Sequence, residues 1–290
     1  MKIVKMPPAI AEEVAQARRS HLKVGFVPTM GALHRGHLSL IERARQSCDL
    51  VICSIFVNPL QFNDQTDLAR YPRTIKEDST LLEEAGCNIL FTPEKEDIFT
   101  DFQPFKYDLG GLDRNWEGPS RPGHFQGVVN VVERLFFYVR PDEAFFGEKD
   151  RQQLTILSHV ARTKRWPEKI IACPTTREAD GLALSSRNLR LSPEDRGKAS
   201  LLYKALTYAL EKAFHFPIRS IISHIEEMFD AIPDVQLDHF GIADQTTLEP
   251  LADWEDRTIA IALIAAQVGP VRLIDNLTLA RKPRPIDPTS

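Results

Sequence analysis

Short apolar runs alternate with helix-length segments through the first 176 residues. The run at 50–58, LVICSIFVN, is almost continuously apolar, which is typical of a strand covered on both faces of a parallel sheet. Similar runs lie at 22–29, 88–93, 142–149 and 169–175. Strands that alternate with helices in this way form βαβ units. The sequence therefore predicts an α/β fold built on a doubly wound parallel sheet.

The alternation stops after about residue 177. Ser192 and Pro193 predict the cap and the first position of one long helix. A further helix near 218–230 and three antiparallel strands follow, the strands at 235–243, 258–266 and 271–276. We therefore expect two domains, an α/β domain at 1–176 and a smaller C-terminal α+β domain at 177–290.

Composition and charge exclude several classes of function. The 36 basic and 40 acidic residues give a net charge of −4, which argues against a general binder of nucleic acid or of anionic membranes. The four cysteines form no C-x-x-C and no zinc-ligand spacing, so we expect buried free thiols in a reducing compartment. No apolar stretch has the length of a signal peptide or a membrane span. We expect a soluble cytoplasmic protein with no nucleic-acid or membrane partner.

The segment PTMGALHRGHLSL, from Pro28 to Leu40, joins the first predicted strand to a helix. Ligands of open α/β sheets bind at this edge, and a helix N-terminus attracts phosphate. His34 and His37 would project from one side of the first turn and donate to a phosphoryl group as its charge builds up. Gly31 and Gly36 would let the backbone approach a ligand closely. The alternative is a pair of capping or surface histidines.

Two later motifs carry groups suited to phosphate. In FGEKD, Lys149 can neutralise phosphate oxygens and Asp150 can accept a hydrogen bond from a ribose hydroxyl, although such a sequence also forms solvated turns. In LSSRN, the hydroxyls of Ser185 and Ser186 adjoin the guanidinium of Arg187, which makes either an anion cradle or a capped turn. Both motifs therefore predict phosphate contacts with a structural alternative.

Neutral polar side chains follow the second strand in FVNPLQF. The amides of Asn58 and Gln61 can orient a small hydroxy acid without charging the pocket, while Asn58 can also cap a turn before Pro59. Arg121 and His124 in SRPGHF fit either a substrate pocket or the start of the following helix.

The motif PTMGALHRGH resembles the signature of the HxGH nucleotidyltransferases, which bind ATP on a Rossmann-like domain and act at its α-phosphate. Six further motifs follow in the order and spacing of the pantothenate synthetase (pantoate–β-alanine ligase) family: SIFVNPLQF, LARYPRT, RPGHFQGV, FGEKDRQQL, DGLALSSRN and RLIDN. The resemblance covers nearly the whole chain. Two positions depart from the family pattern, Gln126 where HFRGV is usual and Gln267 where AAWVG is usual.

The resemblance implies an AMP-forming ligase that joins pantoate to β-alanine through a pantoyl adenylate, with ATP and Mg²⁺, on a Rossmann-like domain closed by a C-terminal lid. It also implies a homodimer. The catalytic residues it implies are His34, His37 and Lys149. The implied ATP-binding residues are Met30, Gly31, His34, His37, Gly147, Glu148, Lys149, Asp150, Thr176, Leu184, Ser185, Ser186 and Arg187. The implied substrate-binding residues are Gln61, Gln153, Asn58, Arg121 and His124. A weak candidate for a metal-binding carboxylate is Asp78, with Glu77 beside it.

Two other functions remain open at this point. The chain could be another HxGH nucleotidyltransferase, which passes AMP or CMP to a phosphorylated acceptor and has no amine-dependent second step. It could also be a non-catalytic nucleotide-binding protein on the same fold. AMP release that requires both pantoate and β-alanine would separate the ligase from the first, and pantoate-dependent exchange of pyrophosphate into ATP would separate it from the second.

Overall fold

The computed structural model describes residues 1–62, 68–69 and 71–281. Arg70 of the motif LARYPRT lies outside the described residues. Contacts within the chain divide it into two compact units. The first comprises Met1–Arg177 with Leu184–Ser186, and the second comprises Glu178–Ala183 with the chain from Arg187 onward. The binding and lid roles expected of two domains stay predictions.

The first unit is built on a six-stranded sheet in which every neighbouring pair is parallel. The strands are β1 (Lys2–Val4), β2 (Val24–Thr29), β3 (Leu50–Ile55), β4 (Ile89–Phe91), β5 (Glu143–Gly147) and β6 (Lys169–Cys173). Their order across the sheet is β1-β4-β3-β2-β5-β6. The predicted α/β class and doubly wound parallel sheet are confirmed.

Strand β2 lies at the point where the strand order reverses. It pairs with β3 on one side and with β5 on the other, so successive strands lead away from it in opposite directions. Phe26 on β2, Ile52 on β3 and Phe145 on β5 are at most 1% exposed, because helices cover both faces of these central strands. Such a switch point leaves a crevice beyond the carboxyl ends of the two strands.

Seven helices accompany this sheet within the described part of the first unit. They are α1 (Pro7–Arg19), α2 (Arg35–Arg45), α3 (Ile75–Glu84), α4 (Lys95–Phe99), α5 (Glu117–Ser120), α6 (His124–Val139) and α7 (Arg151–Lys164). Neither α1 nor β1 is predicted from the sequence. The apolar stripe of Ile10, Val14 and Ala17 buries α1, while the short β1 pairs with β4 at the sheet edge. A three-residue edge strand carries too little periodicity to be recognised in a sequence.

The second unit contains α8 (Pro193–Ala199), α9 (Leu201–Lys212) and α10 (Ile218–Asp230) with strands β7 (Val235–Ala243), β8 (Ile259–Val268) and β9 (Val271–Ala280). The three strands are antiparallel, as predicted. The Ser192 side chain accepts a hydrogen bond from the Asp195 N–H, which confirms the cap. The prediction of a single long helix after Ser192 is wrong, because the helix is interrupted at Ser200. The Ser200 hydroxyl donates to the Gly197 carbonyl at 3.2 Å.

None of the described helices combines the length and the apolar character that crossing a membrane requires. All four cysteines are free and buried, as predicted.

Candidate nucleotide and substrate site

Loops that follow β2, β5 and β6 meet at the carboxyl edge of the sheet. The loop after β2 runs from Met30 into α2, and a 3₁₀ turn, Glu148–Asp150, follows β5. After β6, the Thr176 hydroxyl lies 3.1 Å from the Ser39 hydroxyl in the first turns of α2. The candidate site therefore lies at the switch point, with the predicted nucleotide residues on three loops around it.

The two histidines form a reciprocal cap at the start of α2. The Gly36 N–H donates to His34 Nδ1 at 3.2 Å, and the His34 N–H donates to His37 Nδ1 at 3.3 Å. Their ring centroids are 4.0 Å apart. Since each Nδ1 accepts a backbone hydrogen bond, a neutral ring must carry its proton on Nε2. The alternative that His34 and His37 cap the helix is therefore confirmed for their Nδ1 atoms. Each ring still offers an Nε2–H donor to a ligand.

Burial keeps both imidazoles uncharged at neutral pH. Burial and, to a smaller extent, the Lys149 ammonium lower the pKa of His34 to about 4, while Asp150 opposes the shift. Burial lowers the pKa of His37 to about 3, with His34 and Lys149 acting in the same direction and Asp150 against them. Lys149 and Asp150, on the turn after β5, therefore contribute to the electrostatic environment of both rings.

The glycines of the first motif are explained by contacts within the chain. A Cβ at Gly36 would lie 2.9 Å from the His34 ring. Gly31 has φ +87°, and a Cβ there would lie 3.0 Å from Ile55 Cγ2. A Cβ at Gly147 would meet nothing within 4 Å, so the end of β5 faces open space. Contacts within the chain are therefore enough to explain both Gly31 and Gly36. That they also let a ligand approach the backbone closely stays a prediction.

Asp78 does not have the surroundings of a metal ligand. It is 1% exposed, and its carboxylate accepts hydrogen bonds from the N–H groups of Ala32 (3.0 Å) and Leu33 (2.7 Å). No group of three or more His, Cys, Asp or Glu side chains that could hold a metal occurs among the residues that the structure describes. The Asp78 carboxylate is occupied by the backbone of the histidine loop, and its assignment to magnesium stays a prediction.

Asn58 and Gln61 orient each other beside the same edge. Asn58 Oδ1 caps the 3₁₀ turn Pro59–Gln61 by accepting the Leu60 N–H at 3.1 Å, as the turn-capping alternative predicted. Its Nδ2 donates to Gln61 Oε1 at 3.0 Å and to the Gly127 carbonyl at 3.1 Å. Gln61 Nε2 then lies 3.1 Å from Met30 Sδ. The acceptor end of the Gln61 amide is thus held by the protein, and its NH₂ end faces the loop after β2.

His124 is the first residue of α6 and is 5% exposed. Its Nδ1 lies 2.8 Å from the Gln61 carbonyl, which can only accept, so the ring proton is on Nδ1. Burial lowers the pKa of His124 to about 4, and the Arg121 guanidinium adds to the shift. His124 therefore fixes the backbone at Gln61, and Arg121 lies close enough to act on it electrostatically. Gln153 is partly buried in the first turn of α7.

The LSSRN motif is divided between the two units. Leu184 donates its N–H to the Thr176 carbonyl at 3.0 Å, and the Ser186 hydroxyl donates to the Ala32 carbonyl at 2.9 Å. Leu184–Ser186 thus belong to the first unit and contact loops of the site, whereas Arg187 belongs to the second unit. The structure brings Ser186 to the histidine loop directly.

Two supporting residues escaped the sequence analysis. Ser39 donates to the Gly36 carbonyl at 2.8 Å and thereby connects Thr176 to the start of α2. The Gln152 amide is buried and holds the loop before Arg121, accepting from the Glu117 N–H at 2.9 Å and donating to the Leu112 carbonyl at 2.7 Å. The pair of glutamines in DRQQL was visible in the sequence, but which amide faces the loop depends on the helix orientation.

A doubly wound parallel sheet with a histidine cap at its switch point and a lysine on the adjacent loop defines an α/β protein that binds its ligand beyond the carboxyl ends of the strands. A family model described as Pantoate-beta-alanine ligase matches residues 2–278. The chain belongs to the pantoate–β-alanine ligase family.

Named relatives and solved structures agree with this assignment. The chain is 43% identical over 278 residues to a pantothenate synthetase of Porphyromonas gingivalis, covering 96% of this chain and 99% of that protein. It is similar to a crystal structure of pantothenate synthetase from Thermus thermophilus, with a TM-score of 0.89, 44% identity and coverage of 96% and 99%. A crystal structure of pantoate-beta-alanine ligase from Francisella tularensis, complexed with beta-gamma ATP and beta-alanine, has a TM-score of 0.79, 33% identity and coverage of 96% and 97%.

Proposed function

We propose that this chain condenses pantoate with β-alanine in an ATP-dependent, AMP-forming reaction through a pantoyl adenylate. The observation that carries the proposal is the pair of Nε2–H donors on His34 and His37, held at the switch point within electrostatic reach of Lys149. Three groups of this kind suit a phosphoryl centre that gains negative charge. The relative from Francisella tularensis, complexed with beta-gamma ATP and beta-alanine, supports the choice of two of the substrates.

In the first half-reaction, a carboxylate oxygen of pantoate attacks the α-phosphorus of ATP. The bond from that phosphorus to the bridging oxygen breaks, and pyrophosphate leaves with the electron pair. In the second, the neutral amine of β-alanine attacks the acyl carbon, the bond to AMP breaks, and the nitrogen loses a proton. Adenylation is needed because a carboxylate lacks a good leaving group. No protein nucleophile is required, so the chain contributes positioning and charge stabilisation.

His34, His37 and Lys149 are assigned to the α-phosphate. As neutral donors, the two imidazoles gain most when charge builds up on the phosphoryl oxygens, which is the differential binding that lowers a barrier. The main-chain and side-chain groups of Met30, Gly31, Gly147, Glu148, Asp150 and Thr176 are assigned to the rest of the nucleotide. Leu184 is assigned to the nucleotide, and Ser185, Ser186 and Arg187 are assigned to its β- and γ-phosphates. The second unit would act as a lid that keeps water from the adenylate.

Pantoate is assigned to Gln61 and Gln153. The Gln61 NH₂ group, turned toward Met30 by the Asn58 bond to its oxygen, would donate to a substrate oxygen. Asn58 supports Gln61 through its side-chain amide, and His124 holds the Gln61 carbonyl through Nδ1, so both also orient the Gln61 amide toward pantoate. Arg121 would supply a positive charge for a carboxylate at this side of the site.

Magnesium enters with ATP as part of the substrate. Both oxygens of Asp78 accept hydrogen bonds from the chain, and the described residues hold no cluster of three metal-binding side chains. No protein ligand is assigned to the ion here, and no step of the reaction is assigned to it beyond binding to the triphosphate.

We also propose a cellular location and an oligomeric state. Four free buried thiols suit a reducing cytoplasm. A homodimer is proposed on the family resemblance, and sedimentation equilibrium of the purified chain would measure it.

The decisive experiment measures exchange of labelled pyrophosphate into ATP with and without pantoate, and then AMP release with and without β-alanine. We expect exchange to require pantoate alone and AMP release to require both substrates. Exchange without pantoate, or AMP release without β-alanine, would contradict the proposal.

A further inference from the structure

We propose that Asp78 is a positioning residue of this reaction, whose buried carboxylate fixes residues 31–33 so that His34 and His37 face the nucleotide. The inference rests on the proposed function and goes beyond it, because it gives the former metal candidate a different role.

The carboxylate is saturated by hydrogen bonds from one loop and one neighbour. Asp78 lies in the first turn of α3 and is 1% exposed. Oδ1 accepts from the Leu33 N–H at 2.7 Å, and Oδ2 accepts from the Ala32 N–H at 3.0 Å and from the Thr74 hydroxyl at 3.2 Å. A carboxylate has two acceptor oxygens, whereas an amide has one. The carboxylate therefore receives the two N–H groups on separate oxygens, whereas an amide would place its NH₂ donor against one of them.

The segment that Asp78 holds has an unfavourable backbone. Gly31 has φ +87° and Ala32 has φ +50°, so two consecutive residues adopt left-handed conformations. For alanine, which has a Cβ, this costs about 1–2 kcal/mol, so the conformation must be enforced by its surroundings. The Ala32 peptide groups are held from both sides, the N–H by Asp78 and the C=O by the Ser186 hydroxyl at 2.9 Å.

His34 follows this segment directly. Its backbone N–H donates to His37 Nδ1, and its own Nδ1 accepts from Gly36, so the orientation of both rings depends on where residue 34 enters α2. If the two N–H groups lose their acceptors, residues 31–33 can relax and the rings move with them. A misplacement of about 1 Å at a reacting centre can reduce a rate about 100-fold.

The test is Asp78→Asn, with Glu84→Gln as the matched control, since Glu84 is exposed on the same helix and undergoes the same chemical change. We expect Asp78→Asn to lower kcat for pantoate-dependent pyrophosphate exchange about 100-fold. The KM values for ATP and pantoate, the half-saturating Mg²⁺ concentration and the folded fraction at the assay temperature should stay close to those of the wild type. Glu84→Gln should match the wild type throughout.

Three outcomes would overturn the assignment. Wild-type kcat in Asp78→Asn would show that the hydrogen bonds are dispensable. Recovery of kcat at raised Mg²⁺ would return Asp78 to the role of a metal ligand. A loss of rate equal to the loss of folded protein would make Asp78 a residue of general stability. An inactive wild type would instead overturn the proposed function, which separates the two failures.

A second measurement decides the matter if Asp78→Asn does not fold. Native-state amide hydrogen exchange of the wild-type protein should be strongly slowed at Ala32 and Leu33, because the buried Asp78 carboxylate accepts both N–H groups. Exchange of both amides at the rate of an unprotected chain would overturn the proposed hold on the loop.

Discussion

At the scale of single residues, the histidine pair combines a structural and a chemical role in the same rings. Each Nδ1 satisfies a backbone N–H that a helix start leaves unpaired, which fixes the tautomer and the direction of Nε2–H. Burial keeps the rings neutral, so their hydrogen bonds strengthen as phosphoryl charge develops. The same contacts explain why Gly36 stands between them, since a Cβ there would collide with His34.

Removing one donor should slow adenylate formation without unfolding the protein. We expect His37→Ala and Lys149→Ala each to lower the rate of pantoate-dependent pyrophosphate release about 100- to 1,000-fold, as for other preorganised donors to a developing oxyanion. Stopped-time assays of pyrophosphate measure the effect. His215→Ala, which changes an exposed histidine of the second unit, is the control. Near-normal release from either site variant would refute the roles assigned here.

The tautomers and pKa values can be observed directly. In ¹⁵N-histidine NMR spectra of the resting protein, His34 and His37 should show protonated Nε2 at neutral pH. Their titration midpoints should lie near pH 4 and pH 3, because burial lowers both pKa values from 6.5. The unfolded chain then binds protons more readily than the folded one, so stability falls as pH drops from 6.5 toward these values. Midpoints near 6.5, or protons on Nδ1, would contradict the assigned geometry.

At the scale of elements, α6 organises the substrate side of the first unit. Its backbone at Gly127 approaches the turn Pro59–Gln61 so closely that a Cβ would lie 2.2 Å from the Leu60 carbonyl oxygen. On the same helix, the Gln126 amide pairs with both backbone groups of Tyr107 at 3.0 and 2.9 Å. The departure from the family's basic residue at Gln126 is therefore compatible with a structural role: the amide fastens an extended segment to the helix.

Closing the gap between α6 and the turn should impair pantoate binding. Gly127→Ala must push the turn away, and Gln61 with it, so we expect KM for pantoate to rise about 10-fold or more while KM for ATP changes little. Initial-rate kinetics measure both constants. Gly197→Ala in α8 is the matched control, because a Cβ there meets nothing within 4 Å. A larger change in KM for ATP than in KM for pantoate would contradict the assignment of the turn Pro59–Gln61 to pantoate binding.

At the scale of the whole molecule, the two edges of the parallel sheet have different roles. The carboxyl edge holds the candidate site, while the amino edge holds a polar cluster in which Lys23 Nζ lies 2.7 Å from Glu143 Oε1 and the Ser47 hydroxyl donates to Glu143 Oε2 at 2.9 Å. Burial alone would raise the pKa of Glu143, but these hydrogen bonds lower it overall. The cluster joins the beginnings of β2 and β5, the strands on either side of the switch point.

Glu143→Gln should therefore reduce stability and spare catalysis. We expect the free energy of unfolding to fall by about 1–3 kcal/mol, the usual effect of losing hydrogen bonds to a charged group. In the wild type, the Glu143 carboxylate stabilises the fold at pH values above its ordinary pKa of 4.5. This stabilisation is lost as the pH falls through the lowered pKa that Glu143 has in the folded protein. Urea denaturation at neutral and acidic pH measures it, with kcat as the functional readout.

Glu12→Gln is the control for this prediction, because Glu12 pairs with Arg19 in an exposed salt bridge that should contribute little. Equal destabilisation by the two variants would contradict the role of the amino-edge cluster.

The C-terminal departure can be explained in the same local terms. Gln267 Nε2 donates to the Gly269 carbonyl at 2.9 Å, so the amide supports the tight turn between β8 and β9 where the family usually has tryptophan. Sequence comparison marked the position, and only the coordinates give the residue a partner.

The sequence by itself determined the α/β class, because the alternation of strands and helices predicts a parallel sheet. It also located the motifs proposed to bind phosphate, because periodicity and helix-start signals are local properties of the chain. It also placed His34, His37 and Lys149 at strand ends, from which a shared edge follows for any parallel sheet. It missed β1 and α1, and it drew one helix where Ser200 separates two.

Only the tertiary structure decided what the side chains near the site actually hold. Asp78 is 46 positions from Ala32, and His124 is 63 positions from Gln61. No local pattern could therefore reveal that Asp78 holds the loop at Ala32 or that His124 holds the backbone at Gln61. A buried carboxylate or imidazole must find hydrogen-bond partners, but which partners it finds depends on how distant segments pack. That dependence is why the location of the candidate site could be predicted from the sequence and the hydrogen bonds that support it could not.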